Sequence, residues 1–109
     1  MDVSNSSLSA LTADDVRAAL QRGDDLVLLD VREQWEWDQA HVAQASHIPM
    51  NDIPRRHGEL DRTRTIVVMC HLGQRSAMVA HYLLGRGFTD IYNMDGGIDG
   101  WMRRGYPVE

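Results

Sequence analysis

The sequence has only one cysteine, Cys70, so no disulfide can form within the chain. It has no apolar run near the roughly 20 residues that a membrane-spanning helix needs, since its longest run covers only residues 66–70. Residues 1–15 lack the basic and apolar stretches of a secretion signal. These absences predict a soluble protein of the reducing cytoplasm, with no membrane as a partner.

Lysine is absent, and the 11 basic residues are all arginines, against 16 acidic residues, for a formal net charge of -5 at pH 7. A nucleic-acid-binding surface requires a clustered excess of basic residues to offset the phosphate charge. The composition therefore excludes nucleic acid as a partner. Among the scattered arginines, only Arg75 lies at a position typical of a functional site. The histidines are also scattered and there is no second cysteine, so no metal site is predicted.

The chain of 109 residues is long enough for one hydrophobic core and too short for two ordinary domains. Its hydrophobic fraction of 43% and its charged fraction of 25% are ordinary globular values. Residues 1–7 are small and polar, which predicts a flexible N-terminal tail. Residues 8–109 are then predicted to form a single domain.

Two continuous apolar runs, at 26–29 and 65–69, are typical of strands that are buried on both faces of a parallel sheet. Helical spacing of apolar residues before, between and after these runs indicates that strands and helices alternate. The sequence therefore predicts an α/β fold, in which a parallel sheet is flanked by helices on both faces. Gly85 and Gly87 are predicted to end the helix over 76–85 together, in the left-handed conformation.

Cys70 directly follows the second apolar run and precedes a helical pattern, so it lies between a strand's carboxyl end and a helix's amino end. A loop at such a place turns several backbone N–H groups toward one point, and the helix dipole adds positive potential. Both effects favour the thiolate, so Cys70 is predicted to be a nucleophile. Gly73 can adopt the positive φ that a tight loop needs, and Arg75 can attract an anionic substrate or a persulfide.

Other residues of this loop each have two open interpretations. Ser76 either caps the helix or donates a hydrogen bond to the Cys70 sulfur. His71 and Leu72 are predicted to form the rim of the pocket, where His71 either adds positive charge when it is protonated or is a plain spacer. Arg75 either binds an anion, which is the preferred interpretation, or pairs with a surface carboxylate.

Asp30 follows the first apolar run and is predicted to lie at the same edge of the sheet as Cys70. Its carboxylate would repel a thiolate, so a structural hydrogen-bonding role is favoured over a catalytic one. Arg32 is predicted to pair with Glu36 or with a neighbouring loop, so that Asp30 and Arg32 both support the site. Trp35 is interpreted as a packing residue or as a residue at the mouth of the site.

The segments LLDVRE at 28–33, CHLGQRS at 70–76 and MDGGIDGW at 94–101 together resemble the three signatures of one family, the rhodaneses. Rhodaneses are sulfurtransferases, and the resemblance is to their single-domain form, over about residues 8–108. The family's active-site cysteine, glycine and arginine correspond to Cys70, Gly73 and Arg75.

The resemblance implies a parallel five-stranded sheet between helices and a persulfide intermediate on Cys70. It implies that sulfane sulfur passes from thiosulfate or a similar donor to cyanide, a thiol or a protein, with no cofactor beyond that covalent persulfide and no metal. It also implies a substrate-binding loop formed by His71, Leu72, Gly73, Gln74, Arg75 and Ser76. The chain departs from the family pattern at residues 40–44, where AHVAQ replaces the usual GHIPG.

Two other classes of function use the same residue types. Tyrosine and dual-specificity phosphatases and arsenate reductases also place a cysteine and an arginine around an anion-binding loop. Such phosphatases have five residues between the two, whereas Cys70 and Arg75 enclose only four. The smaller loop fits a tetrahedral phosphate poorly. A persulfide relay or protein-interaction module with little thiosulfate activity stays open, because the sequence names neither the physiological donor nor the acceptor.

Overall fold

The computed structural model describes residues 8–109, and the predicted tail at 1–7 lies outside them. Strands and helices alternate along the chain, as the apolar pattern predicts. The strands are β1 (Ser9–Leu11), β2 (Leu26–Asp30), β3 (Ala45–His47), β4 (Thr65–Met69) and β5 (Ile91–Met94). The helices are α1 (Ala13–Arg22), α2 (Gln34–Gln39), α3 (Ile53–Arg56), α4 (Gln74–Leu84) and α5 (Gly97–Arg103), with 3₁₀ turns at Met50–Asp52 and His57–Glu59 on either side of α3.

The strands form one sheet in the order β1, β5, β4, β2, β3, and every pairing is parallel. Parallel neighbours need crossover connections, which the helices provide. The predicted α/β fold with a parallel five-stranded sheet is therefore confirmed. Because β4 is paired with β2 on one side and β5 on the other, the residue that follows β4 lies at the middle of the sheet's carboxyl edge.

Both faces of the sheet are covered, and the side chains of β4 alternate between the two cores. Ile66 and Val68 face the core that the sheet forms with α3 and α4. Val67 and Met69 face the core that it forms with α1 and α5. Cys70 continues this alternation and packs on the side of α3 and α4. The strand's period of two thus decides on which face the thiol lies.

The end of α4 differs from the prediction. The helix stops at Leu84, but Gly85 is right-handed, with φ −69°, because its N–H still bonds to the carbonyl of His81. The left-handed residue is Gly87, with φ 92°, so the prediction is wrong for Gly85. At 11 residues α4 is the longest helix in the described part of the chain, where no helix is long and apolar enough to cross a membrane.

Residues 40–44, where the chain departs from the rhodanese pattern, begin with extended backbone and end in a turn at 43–44, and they contain neither glycine nor proline. Ala40 leaves α2 with extended backbone, at φ −166° and ψ 139°. His41 then exchanges two backbone hydrogen bonds with Glu109, at 2.9 and 2.8 Å, and its ring stacks on that of Trp37 with the centroids 4.0 Å apart. The pairing with Glu109 and the aromatic stack therefore hold this segment in place.

Candidate active site

The candidate site lies at the carboxyl edge of the sheet, where the central strands β2 and β4 end. Cys70 follows β4 directly, and Asp30 is the last residue of β2. The chain then makes a tight loop over residues 71–73 and enters α4 at Gln74. The thiol therefore lies where the backbone N–H groups at the amino end of a helix converge.

The Cys70 sulfur accepts hydrogen bonds from its own loop and from the first turn of α4. The N–H of Gly73 donates to Sγ at 3.1 Å, and the hydroxyl of Ser76 donates to it at 3.3 Å. Cys70 is only 1% exposed. Burial raises the pKa of the thiol, but hydrogen bonds from Ser76, Gly73 and Leu72 outweigh it, so the pKa lies below its ordinary value. The loop thus stabilises a thiolate.

Alkylation of Cys70 by iodoacetamide is expected to rise with pH about a midpoint below 8.5, roughly the pKa of an unperturbed cysteine. The reason is that the loop hydrogen bonds keep the thiolate populated at lower pH. Ser76→Ala removes one of these bonds and should move the midpoint upward. A wild-type midpoint at or above that of free cysteine would show that the thiol is not activated.

The lowered pKa of the Cys70 thiol also makes the free energy of unfolding depend on pH. Because the folded-state pKa of Cys70 lies below the unfolded value, ionisation adds stability that is fully present above the unfolded pKa. That contribution is lost as the pH falls through the folded-state pKa.

Of the two interpretations of Ser76, the geometry favours the hydrogen bond to sulfur. Ser76 is the third residue of α4 and is buried, whereas the N-cap position belongs to Gly73. Gly73 has φ 120°, which L side chains rarely adopt. A Cβ at this position would meet only ordinary contacts, the nearest being the Gly96 nitrogen at 3.5 Å. Gly73 is therefore required for its backbone conformation rather than for lack of space.

Asn93 supports the loop from β5, and sequence reasoning does not single it out. Its side-chain nitrogen donates to the Gly73 carbonyl at 3.3 Å and to the Asp95 carboxylate at 3.0 Å. Asn93 is buried. A buried amide is expected to be held by hydrogen bonds of this kind. The signal that points to it is a polar residue inside an otherwise mostly apolar strand.

Arg75 lies in the first turn of α4 and pairs with Glu36 of α2. Two guanidinium nitrogens donate to the two carboxylate oxygens at 2.6 and 2.9 Å, which is the strong bidentate geometry. The hydrogen bonding from Arg75 is the main cause that lowers the pKa of Glu36 to about 2. The interpretation of Arg75 as the partner of a carboxylate therefore describes the structure, and its role in binding an anion stays a prediction.

Arg32 pairs with Asp30 rather than with the Glu36 carboxylate. Its guanidinium donates to both Asp30 oxygens at 2.8 to 3.1 Å, and both residues are buried. It also donates to the backbone carbonyls of Glu36 at 3.3 Å and Ala40 at 2.8 Å. The predicted ion pair with Glu36 is wrong because Arg75 already binds that carboxylate, whereas the predicted link to a neighbouring loop is present through Ala40.

Arg32→Met is expected to lower the free energy of unfolding by about 3 kcal/mol, because Asp30 would stay buried without its charge partner. Arg22→Met is the matched control, since Arg22 forms an ion pair with Asp24 at 2.7 Å in which both side chains are largely exposed. Such an exposed pair contributes little to stability, so this variant should unfold at nearly the wild-type urea concentration. Urea unfolding measures both values, and equal losses in the two variants would contradict a special role for the buried pair.

The remaining loop residues lie on the outer side of the site. His71, Leu72 and Gln74 are exposed, Leu72 to 50%. His71 shares a shallow depression of about 170 Å³ with Trp35 and Met102. Trp35 is 62% exposed, so it lies beside the loop rather than in the core. The contacts of these residues with a substrate stay predictions.

Helix α5 holds the backbone of Cys70 and His71 in place through hydrogen bonds. The N–H of Ile98 donates to the Cys70 carbonyl at 2.9 Å, and that of Asp99 donates to the His71 carbonyl at 3.1 Å. Gly97, the first residue of α5, lies directly against these two carbonyls. The sequence pattern does not predict this contact, because Gly97 is far along the chain from Cys70 and His71.

Comparison with known proteins identifies the family. The model of the rhodanese-like domain matches residues 12–104. A protein of Pseudomonas syringae named thiosulfate sulfurtransferase GlpE is 36% identical over 93 residues, which cover 85% of this chain and 87% of that protein. A protein of Allochromatium vinosum named sulfurtransferase is 35% identical over 85 residues, which cover 78% of this chain and 79% of that protein.

Solved structures agree with this assignment. The crystal structure of a rhodanese-related protein from Thermoplasma volcanium matches with a TM-score of 0.85 and 30% sequence identity, over 93% of this chain and 97% of that one. The chain belongs to the rhodanese-like domain family, and its relatives include proteins named as sulfurtransferases. The family predicted from the three sequence signatures is confirmed.

Proposed function

We propose that this protein is a sulfurtransferase that moves sulfane sulfur from thiosulfate or a similar donor to a thiophilic acceptor through a persulfide on Cys70. The observation that carries the proposal is the Cys70 sulfur, held by the Gly73 N–H and the Ser76 hydroxyl at the amino end of α4. Relatives named sulfurtransferase and thiosulfate sulfurtransferase support the class of reaction.

In the first half-reaction the Cys70 thiolate attacks the outer sulfur of thiosulfate. A bond forms between Sγ and that sulfur, the sulfur–sulfur bond of thiosulfate breaks, and sulfite leaves with the bonding electron pair. Charge is conserved, because a thiolate and a thiosulfate dianion give a persulfide anion and a sulfite dianion. The protein then carries the sulfur covalently, as in other nucleophilic mechanisms with two half-reactions.

In the second half-reaction the acceptor attacks the outer sulfur of the persulfide. With cyanide, a carbon–sulfur bond forms, the bond from Sγ to the outer sulfur breaks, and thiocyanate leaves while the Cys70 thiolate is restored. A thiolate acceptor, free or on a protein, becomes a persulfide by the same exchange. Neither half-reaction uses a cofactor or a metal, and acceptor thiols are abundant in the reducing cytoplasm, where we expect the protein to act.

Different residues of the site stabilise the thiolate, border the approach of the donor and hold the neighbouring elements in place. The N–H of Gly73 and the hydroxyl of Ser76 stabilise the thiolate before attack and when it is released. The exposed residues His71, Leu72 and Gln74 border the approach of the donor. The buried pair of Asp30 and Arg32 keeps the neighbouring strand end and α2 in place, through the backbone carbonyls that Arg32 binds.

A steady-state assay of thiocyanate formation from thiosulfate and cyanide tests the proposal. We expect turnover by the wild-type protein and none by Cys70→Ser. A phosphate ester, assayed in parallel, should not be hydrolysed, because the loop between Cys70 and Arg75 is short. Phosphatase activity without thiocyanate formation would overturn the proposal.

The second candidate is a persulfide relay that delivers sulfur only to a protein partner. Large apolar side chains are exposed in the loop, at Leu72, and beside it, at Trp35, and exposed apolar surface is typical of protein contacts. A protein that takes up sulfur from thiosulfate but turns over slowly with cyanide and with small thiols would favour the relay.

A further inference from the structure

The cationic side chains around the candidate site are already matched with carboxylates. Arg75, the arginine of the loop, is bidentate with Glu36 at 2.6 and 2.9 Å. Arg32 is bidentate with Asp30. The two pairs add no net charge beside Cys70. This balance is unfavourable for thiosulfate, a dianion that gains from uncompensated positive charge where it binds.

Glu36 is fixed in this position by two elements. The backbone N–H of Glu33 donates to a Glu36 carboxylate oxygen at 2.9 Å, which anchors the side chain to the first turn of α2. Arg75 holds both oxygens from α4, and the Glu36 side chain is only 11% exposed. The carboxylate is therefore a permanent part of the site rather than a mobile surface group.

Arg75 lies next to Ser76 in the first turn of α4, and the Ser76 hydroxyl binds the Cys70 sulfur at 3.3 Å. Glu36 is the main cause that raises the pKa of the Arg75 guanidinium, and the charges of the Cys70 thiolate and of Glu33 add to it. The Arg75 guanidinium, which would attract an anionic donor to the thiol, is thus the group whose charge Glu36 neutralises.

We propose that Glu36 sets the charge preference of the site, holding down its reactivity with dianionic donors such as thiosulfate by neutralising Arg75. Glu36 is a positioning residue here, because it acts through Arg75. The inference rests on the proposed reaction of Cys70 with sulfur donors, and it goes further by naming the residue that discriminates among donors by charge. Removing the Glu36 charge should turn the protein into a better thiosulfate enzyme.

Glu36→Gln is the matched substitution. The amide oxygen can still accept the hydrogen bond from the Glu33 N–H, so the cap of α2 is kept while the charge is lost. Glu59→Gln is the control, since Glu59 forms a bidentate ion pair with Arg56 in the same way, at 3.0 and 3.1 Å, on an exposed turn. The two variants change the net charge equally.

The first readout is the ratio of Cys70 alkylation rates with iodoacetate, an anion, and iodoacetamide, which is neutral. The ratio cancels any change in the fraction of thiolate, which affects both reagents alike. We expect Glu36→Gln to raise the ratio about threefold at low salt, as one unit charge removed at short range implies. High salt should shrink the effect. Glu59→Gln should leave the ratio unchanged, and Arg75→Gln should lower it.

The second readout is kcat/KM for thiosulfate, which reports the first half-reaction. We expect Glu36→Gln to raise it about tenfold, near the square of the iodoacetate effect, because thiosulfate carries two charges. If Glu36→Gln leaves the ratio of iodoacetate to iodoacetamide alkylation rates unchanged, the inference is overturned, whatever the rate of turnover with thiosulfate. A raised ratio in a protein that neither loads nor turns over thiosulfate would support the charge control by Glu36 and overturn the proposed function.

Discussion

Incubation with thiosulfate is expected to add one sulfur atom to the wild-type protein and none to Cys70→Ser. Cys70 is the only cysteine in the chain, so no other thiol can form a persulfide. The hydrogen bonds from Gly73 and Ser76 lower the pKa of this thiol against the opposing effect of burial. Intact-mass spectrometry before and after treatment measures the gain, and reduction with dithiothreitol should reverse it.

The serine variant is a close control for folding. Serine is near cysteine in size, and the buried position accepts it with hydrogen-bond donors already in place from Gly73 and Ser76. Equal sulfur gain in Cys70→Ser, or none in the wild-type protein, would contradict the persulfide mechanism. Because no second cysteine can resolve an oxidised Cys70, peroxide should instead drive it to higher acids or to links between molecules.

Local pattern was sufficient to predict the elements that create the candidate site. The apolar run before Cys70 indicates a strand buried on both faces, and that strand occupies the centre of the sheet. The helical spacing after the loop indicates α4, which begins two residues earlier than predicted, at Gln74. These features depend on neighbours in sequence, where alternation and helical period carry the information.

The ion pairs at the site could not be predicted in the same way. Arg75 and Glu36 are 39 residues apart, and their contact depends on how α2 lies over the start of α4. The sequence leaves Arg32 to pair with Glu36 or with a neighbouring loop, whereas its main partner is Asp30, which is only two residues away and shares its burial. Which carboxylate an arginine meets is decided by tertiary packing, so a charge pattern along the chain leaves several pairings open.

The contact of α5 with the loop is also tertiary, and it makes Gly97 a position where a side chain should strongly destabilise the fold. Gly97 has φ 57°, and a Cβ there would lie closer than 3.0 Å to the carbonyl oxygens of Cys70 and His71. Such distances are essentially never seen for real Cβ atoms. Neither neighbour can rotate away, because both are backbone atoms. The α5 backbone bonds from Ile98 and Asp99 to these same carbonyls would have to break or stretch.

We therefore expect Gly97→Ala to lower the free energy of unfolding by more than about 4 kcal/mol, or to prevent folding, because a backbone clash adds to an unfavourable φ. If the variant folds, displacement of Cys70 from its hydrogen bonds should also move the midpoint of alkylation upward. Gly100→Ala is the control, since it lies in the same helix with nothing within 4 Å of its Cβ. In a helix interior that change should be neutral or stabilising by up to about 1 kcal/mol. Urea unfolding and iodoacetamide kinetics measure both variants. Equal stability of the two would mean that α5 does not hold the Cys70 backbone.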